Sequence, residues 1–204
     1  MASDDDQAGA PGPASSHDRL VAAASRLLGR QGYEATVVKD IARLGAAPMG
    51  SFYHHFPGGK EELAAAGLMW GADRVARVYT RVLDSRDDAA EALAALALEV
   101  ADDMEESAWR DGCPVATVAL ESVDRSPVLR QAASSAFMGW QRLIAACLER
   151  GGCPPPAAKR LAVVVLALLE GAEMLARVHG SREPLERAAD ALRTLARASG
   201  AQTG

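Results

Sequence analysis

Polar side chains that can act together are concentrated between residues 48 and 60. Tyr53, His54 and Lys60 bring a hydroxyl, an imidazole and an ammonium group into this short stretch. All three groups donate hydrogen bonds, and the ammonium group carries a positive charge. The chemistry that such a set favours is contact with anionic oxygens, of which the phosphates of a nucleic acid backbone are one source.

No pattern typical of catalysis accompanies these residues. The sequence lacks GxSxG, HExxH, GxGxxG and phosphate-loop motifs, and its four histidines form no catalytic arrangement. Cys113, Cys147 and Cys153 form no CxxC pair and have no histidine at metal-ligand spacing, so we expect reduced and mostly buried thiols. We predict that the protein is not an enzyme and that it holds neither a metal ion nor a cofactor.

The composition favours an all-α fold. Hydrophobic residues make up 49% of the 204 residues, and valine is the only common β-branched type. The longest strictly apolar run, residues 161–169, is too short for a bilayer, which needs about 20 residues. Residues 1–13 are acidic and unlike a signal peptide, so we expect a disordered tail and a cytoplasmic protein without a membrane span.

Charge is distributed unevenly along the chain. The net charge is -5, but residues 14–74 carry +1 and the remainder carries -6. The sign of this difference suits nucleic acid binding by the N-terminal part. The difference is small, so charge alone does not predict such a partner.

Hydrophobic periodicity predicts three short helices near the N-terminus. The first follows Ser15 and Ser16 and ends at Gly32, the second covers residues 37–44 with Thr36 as its N-cap, and the third covers residues 49–56. Turns of three or four residues separate them, and a longer fourth helix opens at residue 60. This layout is typical of a helix-turn-helix at about residues 36–55, although a corner of an ordinary helical bundle has the same layout.

A helix-turn-helix places its second helix in the major groove of DNA. Met49 and Ser51 are then the candidates for base contact, since a serine hydroxyl bonds base edges and a methionine touches a thymine methyl. Met49 is alternatively an ordinary surface residue, and we expect Phe52 and Phe56 to form the core of the small domain. The other candidates for the DNA surface are Thr36, Val37, Lys39, Pro48, Tyr53, His54 and Lys60.

Five further helices are predicted, which gives about nine in total. Their limits are residues 88–109, 115–123, 127–150, 157–179 and 184–198. The centre of the eighth is apolar all round, so we expect it to be buried on more than one side.

Four motifs resemble those of the TetR family of bacterial regulators: GYEAT at 32–36, IA at 41–42, GSFYHHF at 50–56 and KEEL at 60–63. Further on, the GCP motif at 112–114 with Ala119 and Glu121 is similar to the subgroup with LmrA/YxaF-type C-terminal domains. The chain departs from the family in the turn, where a glycine, a small residue and a capping serine are usual and Ala46, Ala47 and Pro48 stand instead. The glycine has in effect moved to Gly45, and an alanine at a left-handed position costs about 1 kcal/mol.

The resemblance implies a DNA-binding domain over residues 14–74 and a ligand-sensing and dimerisation domain over residues 75–204. It also implies a homodimer that binds a palindromic operator and leaves it when a ligand shifts the fourth helix. We expect dimerisation through helices eight and nine, which carry small residues, although these faces also suit a monomer core. The small residues are Ala167, Gly171, Ala172 and Ala189.

Large or flat side chains identify candidates for the ligand pocket, with two acids as polar groups. We therefore expect a small apolar or aromatic effector, although each candidate also suits the core or the surface. The candidates are Met69, Trp70, Met104, Trp109, Glu121, Phe137, Trp140, Glu170 and Met174.

Two alternative functions compete with that of a repressor. A helical dimer that has lost DNA binding would be a scaffold, and the altered turn at residues 46–48 is the feature that favours it. An activator would have the same sequence features. Repression is the simpler hypothesis, because blocking polymerase needs only DNA binding and a ligand switch.

Overall fold

The computed structural model describes residues 15–122 and 124–200. Within these residues it contains nine α-helices and no strands. The all-helical prediction is confirmed, while the predicted tail at residues 1–13 lies outside the described residues. In chain order the helices are α1 (Ser16–Gln31), α2 (Val38–Leu44), α3 (Met49–His55), α4 (Lys60–Leu83), α5 (Ala89–Glu106), α6 (Pro114–Ser122), α7 (Pro127–Arg150), α8 (Pro155–His179) and α9 (Glu183–Gly200).

The helices enclose two hydrophobic clusters. The smaller cluster joins α1, α2 and α3 to the start of α4 and includes Leu20, Ile41, Phe52 and Leu63. The larger cluster is formed mainly by α4 to α9. Helices α1 and α4 contribute to both clusters, so they are continuous elements between them. No helix among residues 15–122 and 124–200 has the length and apolar character that a membrane crossing requires.

Helix α1 lies unusually close to α4 because glycines occupy the contact. A Cβ atom at Gly67 would lie 2.9 Å from the Cβ of Ala24, and one at Gly71 would lie 2.5 Å from the Oγ of Ser25. At the other end of α1, a Cβ at Gly29 would lie 3.0 Å from the carbonyl oxygen of Gly112. Larger residues at Gly67 and Gly71 would separate α1 from α4, since Cβ contacts this short are not tolerated in packed interiors.

The connection between α5 and α6 differs from its prediction. Helix α5 ends at Glu106 and not at Trp109, because Ala108 and Trp109 adopt left-handed φ angles of 53° and 61°. The N–H of Trp109 turns back and donates to the carbonyl oxygen of Met104 at 2.8 Å. Such a break is not predictable from periodicity, because neither residue favours a left-handed conformation.

The turn between α2 and α3 also departs from its prediction. Gly45 has a φ of -79°, so it is not the left-handed residue of the turn, whereas Ala46 has a φ of 46°. Position 45 requires glycine because of close packing and not because of its φ angle. A Cβ there would lie 2.8 Å from the carbonyl oxygen of Arg19. The Arg19 guanidinium donates to the carbonyl oxygens of Gly45 at 3.0 Å and Ala46 at 3.4 Å. Helix α1 therefore holds this turn directly.

Replacing Ala46 with glycine should stabilise the protein. Glycine adopts a positive φ without the steric cost that alanine carries, so Ala46→Gly should raise the free energy of unfolding by about 1 kcal/mol in urea denaturation. Ala47→Gly is the matched control, because φ at position 47 is not positive and the added backbone freedom should not stabilise. An Ala46→Gly variant no more stable than the unchanged chain would contradict this account of the turn.

Candidate nucleic acid interface

Helix α3 divides its aromatic side chains between the core and the surface. Phe52 and Phe56, at its end, are 4% and 3% exposed, which confirms their predicted place in the core. Tyr53 is 68% exposed, and Met49 and His54 also lie at the surface. The buried rings fix the helix, so its other face presents a thioether, a phenol and an imidazole to solvent.

The start of α3 is formed by backbone geometry alone. Pro48 is the N-cap residue, with φ of -61° and ψ of 146°, and no side chain caps the helix. Its carbonyl oxygen accepts the N–H of Ser51 at 2.9 Å. Pro48 is exposed and Ser51 is half-buried, so both are accessible at the end of α3 that a helix-turn-helix directs at base edges.

Thr36 has a different role from the predicted one. The N-cap of α2 is Val37 and not Thr36, so the predicted cap is wrong. Thr36 is 1% exposed, and its hydroxyl donates to the carbonyl oxygen of Gly32 at 2.6 Å. The hydroxyl is turned into the domain and is not positioned for the predicted phosphate contact. Val37 is 48% exposed and remains at the surface.

The cationic side chains of this region differ in the contacts that they make within the protein. Lys39 is exposed on α2, and Arg43 pairs with Asp40 at 2.9 Å. The Lys60 ammonium lies 4.2 Å from the centroid of the Tyr33 ring and 3.5 Å from the carbonyl oxygen of Glu34. Lys60 is therefore placed against the loop between α1 and α2, at the start of α4, and this cation–π contact was not predicted.

Histidines join the end of α3 to the start of α1. His55 is half-buried, and its Nε2 lies 3.0 Å from the Oγ of Ser16. The His17 ring stacks on Phe56 with centroids 5.2 Å apart and meets His55 edge-on at 5.6 Å. These contacts are not predictable from spacing, because 39 positions separate Ser16 from His55.

Three of the large side chains in the C-terminal part form one aromatic group. Trp140 is 1% exposed, and its ring centroid lies 5.6 Å from that of Phe137 and 5.8 Å from that of Tyr79. The Trp140 indole N–H donates to the carbonyl oxygen of Ala72 at 3.1 Å, which ties α7 to α4. Two of these residues were predicted for the pocket and Tyr79 was missed.

The remaining pocket candidates are dispersed. Met104 is buried and Trp109 is half-buried, whereas Met69 and Trp70 lie near the surface of α4. Met174 is 59% exposed on α8, so its assignment to an internal pocket is corrected. A groove of about 480 Å³ lies between α4 and α7, and none of the nine predicted residues lines it. Its lining residues are Asp73, Ala76, Arg77, Thr80, Arg81 and Leu143.

Glu121 also lies elsewhere than predicted. It is exposed on α6, and its carboxylate accepts the backbone N–H groups of Tyr33 at 2.6 Å and Glu34 at 3.1 Å. This places it at the contact between α6 and the loop that follows α1, so its assignment to the pocket is corrected as well.

Two acids on α8 stand in largely desolvated surroundings beside Cys113. Burial raises the pKa of Glu170 to about 7. Burial, with the nearby charge of Glu170, raises the pKa of Glu173 to about 8. Interaction with Cys113 lowers the pKa of both carboxyls by less than burial raises it, and burial raises the pKa of the Cys113 thiol and of the Tyr79 phenol. Glu170 thus remains a candidate for a polar group of a pocket, and Glu173 was missed.

The acid pair should make stability fall as the pH rises. The folded-state pKa values of Glu170 and Glu173 lie above the usual 4.5, so the native state binds more protons than the unfolded state between about pH 4.5 and pH 8. The stability that the protonated acid pair contributes is fully present below pH 4.5 and is lost as the pH rises to about 8. The drop in melting temperature from pH 5 to pH 8 should therefore be smaller in Glu173→Gln than in the unchanged chain. Exposed Glu149→Gln is the control, and equal drops in both variants would contradict the raised pKa values of the acid pair.

Known proteins match both parts of the chain. The family model described as bacterial regulatory proteins, tetR family, matches residues 20–66, and the model described as transcriptional regulator LmrA/YxaF-like, C-terminal domain, matches residues 89–191. The uncharacterized HTH-type transcriptional regulator Rv0196 of Mycobacterium tuberculosis is 33% identical, over 87% of this chain and 92% of that protein. The HTH-type transcriptional regulator LmrA of Bacillus subtilis is 31% identical, over 83% and 90%.

A solved structure shares the fold. It is a cysteine-substituted form of the TetR family transcriptional regulator CifR, complexed with 26-bp double-strand operator DNA. It matches with a TM-score of 0.75 over 91% of this chain and 98% of that chain, at 23% identity. The two family models and the relatives above 30% identity show that the chain belongs to the TetR family of DNA-binding transcriptional regulators, with an LmrA/YxaF-like C-terminal domain.

Proposed function

We propose that the chain is a ligand-responsive repressor that acts in the cytoplasm as a homodimer on a palindromic operator. Residues 14–74 bind DNA in this proposal, and residues 75–204 dimerise and bind a small apolar or aromatic effector. The observation that carries the proposal is the surface of α3, where Met49, Tyr53 and His54 are exposed while Phe52 and Phe56 anchor the helix.

Specificity in this proposal comes from a modest set of base contacts. Met49 and Ser51 touch base edges, but neither is a bidentate reader as arginine is to guanine. Sequence-dependent DNA shape therefore contributes to recognition as well. Tyr53, His54 and Lys39 contact phosphates, which position the domain without reading the sequence. Lys60, at the start of α4, adds a further phosphate contact in this proposal.

Dimerisation is supported by an unpartnered apolar stripe along α8. Its members recur at helical spacing and are exposed or half-buried in the single chain, as expected for a self-complementary interface. They are Val163, Val164, Ala167, Gly171, Met174, Leu175 and Val178.

Two of the small residues predicted for the dimer contact are used differently. Ala172 and Ala189 are 5% and 1% exposed within the single chain, so they belong to its core. The exposed face of α9 carries charges, among them Glu183, Arg187 and Asp190. In our proposal α8 supplies the apolar centre of the interface, and α9 supplies a polar margin.

Release of the operator by an effector requires that the effector bind one conformation of the protein more tightly than the other. The Trp140 indole holds the Ala72 carbonyl of α4, and the first residue of α4 is Lys60. A flat ligand that displaces Trp140 from the aromatic group would free α4 to shift. Glu170 offers a polar contact to such a ligand.

The altered turn, which is the feature that favours a scaffold, keeps backbone support for α3. The altered turn keeps its backbone hydrogen bond from the Ala47 N–H to the Ala42 carbonyl, at 2.9 Å, and Arg19 holds the carbonyl of Gly45. The start of α3 is thus formed despite the missing capping hydroxyl.

Selection of DNA from a random duplex pool should recover a palindrome that a dimer binds with a steep salt dependence. Tyr53→Phe should weaken binding to all sequences, while Ser51→Ala should change the preferred bases. Lys39→Ala should reduce the salt slope by about 1, as expected for one lost phosphate contact. Lys159→Ala removes an exposed lysine from α8 and should leave the slope unchanged. Recovery of no motif, or equal slopes for the two lysine variants, would contradict the proposal.

A further inference from the structure

The Glu121 carboxylate makes an unusual contact across the molecule. Its Oε2 accepts the N–H groups of two consecutive residues, Tyr33 at 2.6 Å and Glu34 at 3.1 Å, which are 88 and 87 positions away. Gly32 makes room for it, because a Cβ at that position would lie 2.0 Å from the Oε1 of Glu121. Gly32 also has a φ of 78°, a conformation that other residues rarely adopt.

The same loop is held from its other side by the start of α4. The Lys60 ammonium lies over the Tyr33 ring and next to the Glu34 carbonyl, at 4.2 Å and 3.5 Å. Thr36 closes the loop through its bond to the Gly32 carbonyl. Residues 32–36 therefore stand between a carboxylate of the C-terminal part and the lysine that was predicted to contact phosphate.

We propose that Glu121 is a positioning residue for DNA binding, which acts through the loop of residues 32–36 on Lys60. A shift of α6 moves this carboxylate and with it the two backbone N–H groups. Because the loop supports Lys60, such a shift changes where the ammonium group stands relative to DNA. This inference rests on the proposed DNA-binding function and names the residue that links the two parts.

Other contacts between the two parts are less suited to this role. Arg125 pairs with Glu34 at 3.0 Å through exposed side chains that reorient at little cost. Ser126, the buried N-cap residue of α7, donates to Glu61, which lies in α4 and not in the loop. Arg177 bonds the Arg30 carbonyl at 2.8 Å, which lies at the end of α1 before the loop. Glu121 bonds the backbone of the loop itself, so the loop cannot move independently of it.

Amide hydrogen exchange on the full chain without DNA tests whether Glu121 holds the loop. Glu121→Ala should speed exchange of the Tyr33 and Glu34 amides by about tenfold, since each loses a charge-assisted hydrogen bond. Glu121→Gln keeps an acceptor oxygen and should retain most of the protection. Asp124→Ala removes a nearby exposed acid of equal charge and should change neither amide. Equal exchange in Glu121→Ala and the unchanged chain would overturn the inference.

Operator affinity then tests the action on Lys60. Measured on the selected palindrome, Glu121→Ala should weaken binding several-fold relative to Asp124→Ala, and Glu121→Gln should restore most of the loss. In a Lys60→Ala background the Glu121→Ala effect should vanish, because both changes remove the same interaction. Losses that multiply in the double variant would overturn the inference. If no palindrome is selected, the proposed function fails, while the exchange result still decides whether Glu121 holds the loop.

Discussion

The close contact between α1 and α4 is the constraint on which the other features of this chain depend. Gly67 and Gly71 allow α4 to lie against Ala24 and Ser25 at distances that no larger residue permits. Helix α1 carries Arg19, which holds the turn before α3. A separation of the two helices would therefore loosen both the core of the small domain and the support of the recognition helix.

The same helix pair connects the two parts of the molecule. At its C-terminal end α1 meets Gly112 through Gly29, and the loop after it meets Glu121. Helix α4 begins with Lys60 near that loop and reaches Ala72, whose carbonyl accepts the Trp140 indole N–H in the larger cluster. The surface proposed for DNA and the aromatic group proposed for the effector are thus joined by two continuous helices and by the contacts that these helices make with the C-terminal part.

Local sequence patterns were sufficient for the helices and for part of the site. Periodicity of apolar residues predicted all nine elements, and the burial of Phe52 and Phe56 followed from the small size of the domain. The errors arose where a side chain or a backbone group takes a partner that spacing does not specify, whether that partner is near or far in the sequence. Thr36 turns to the Gly32 carbonyl and Glu121 reaches a loop 88 positions away. Trp109 leaves its helix in a left-handed turn. None of these contacts leaves a trace in spacing or composition.

Hydrogen exchange of the free protein in increasing denaturant tests most directly whether α1 joins the two parts into one unit. The comparison is between the buried amides of α1, at Ala24 and Ser25, and those of α7, at Trp140 and Ile144. If the close α1–α4 contact governs the structure, both groups should exchange only through the same global opening and show the same free energy. A clearly lower opening free energy for α1 than for α7 would mean that the N-terminal helices unfold by themselves, and it would contradict this account.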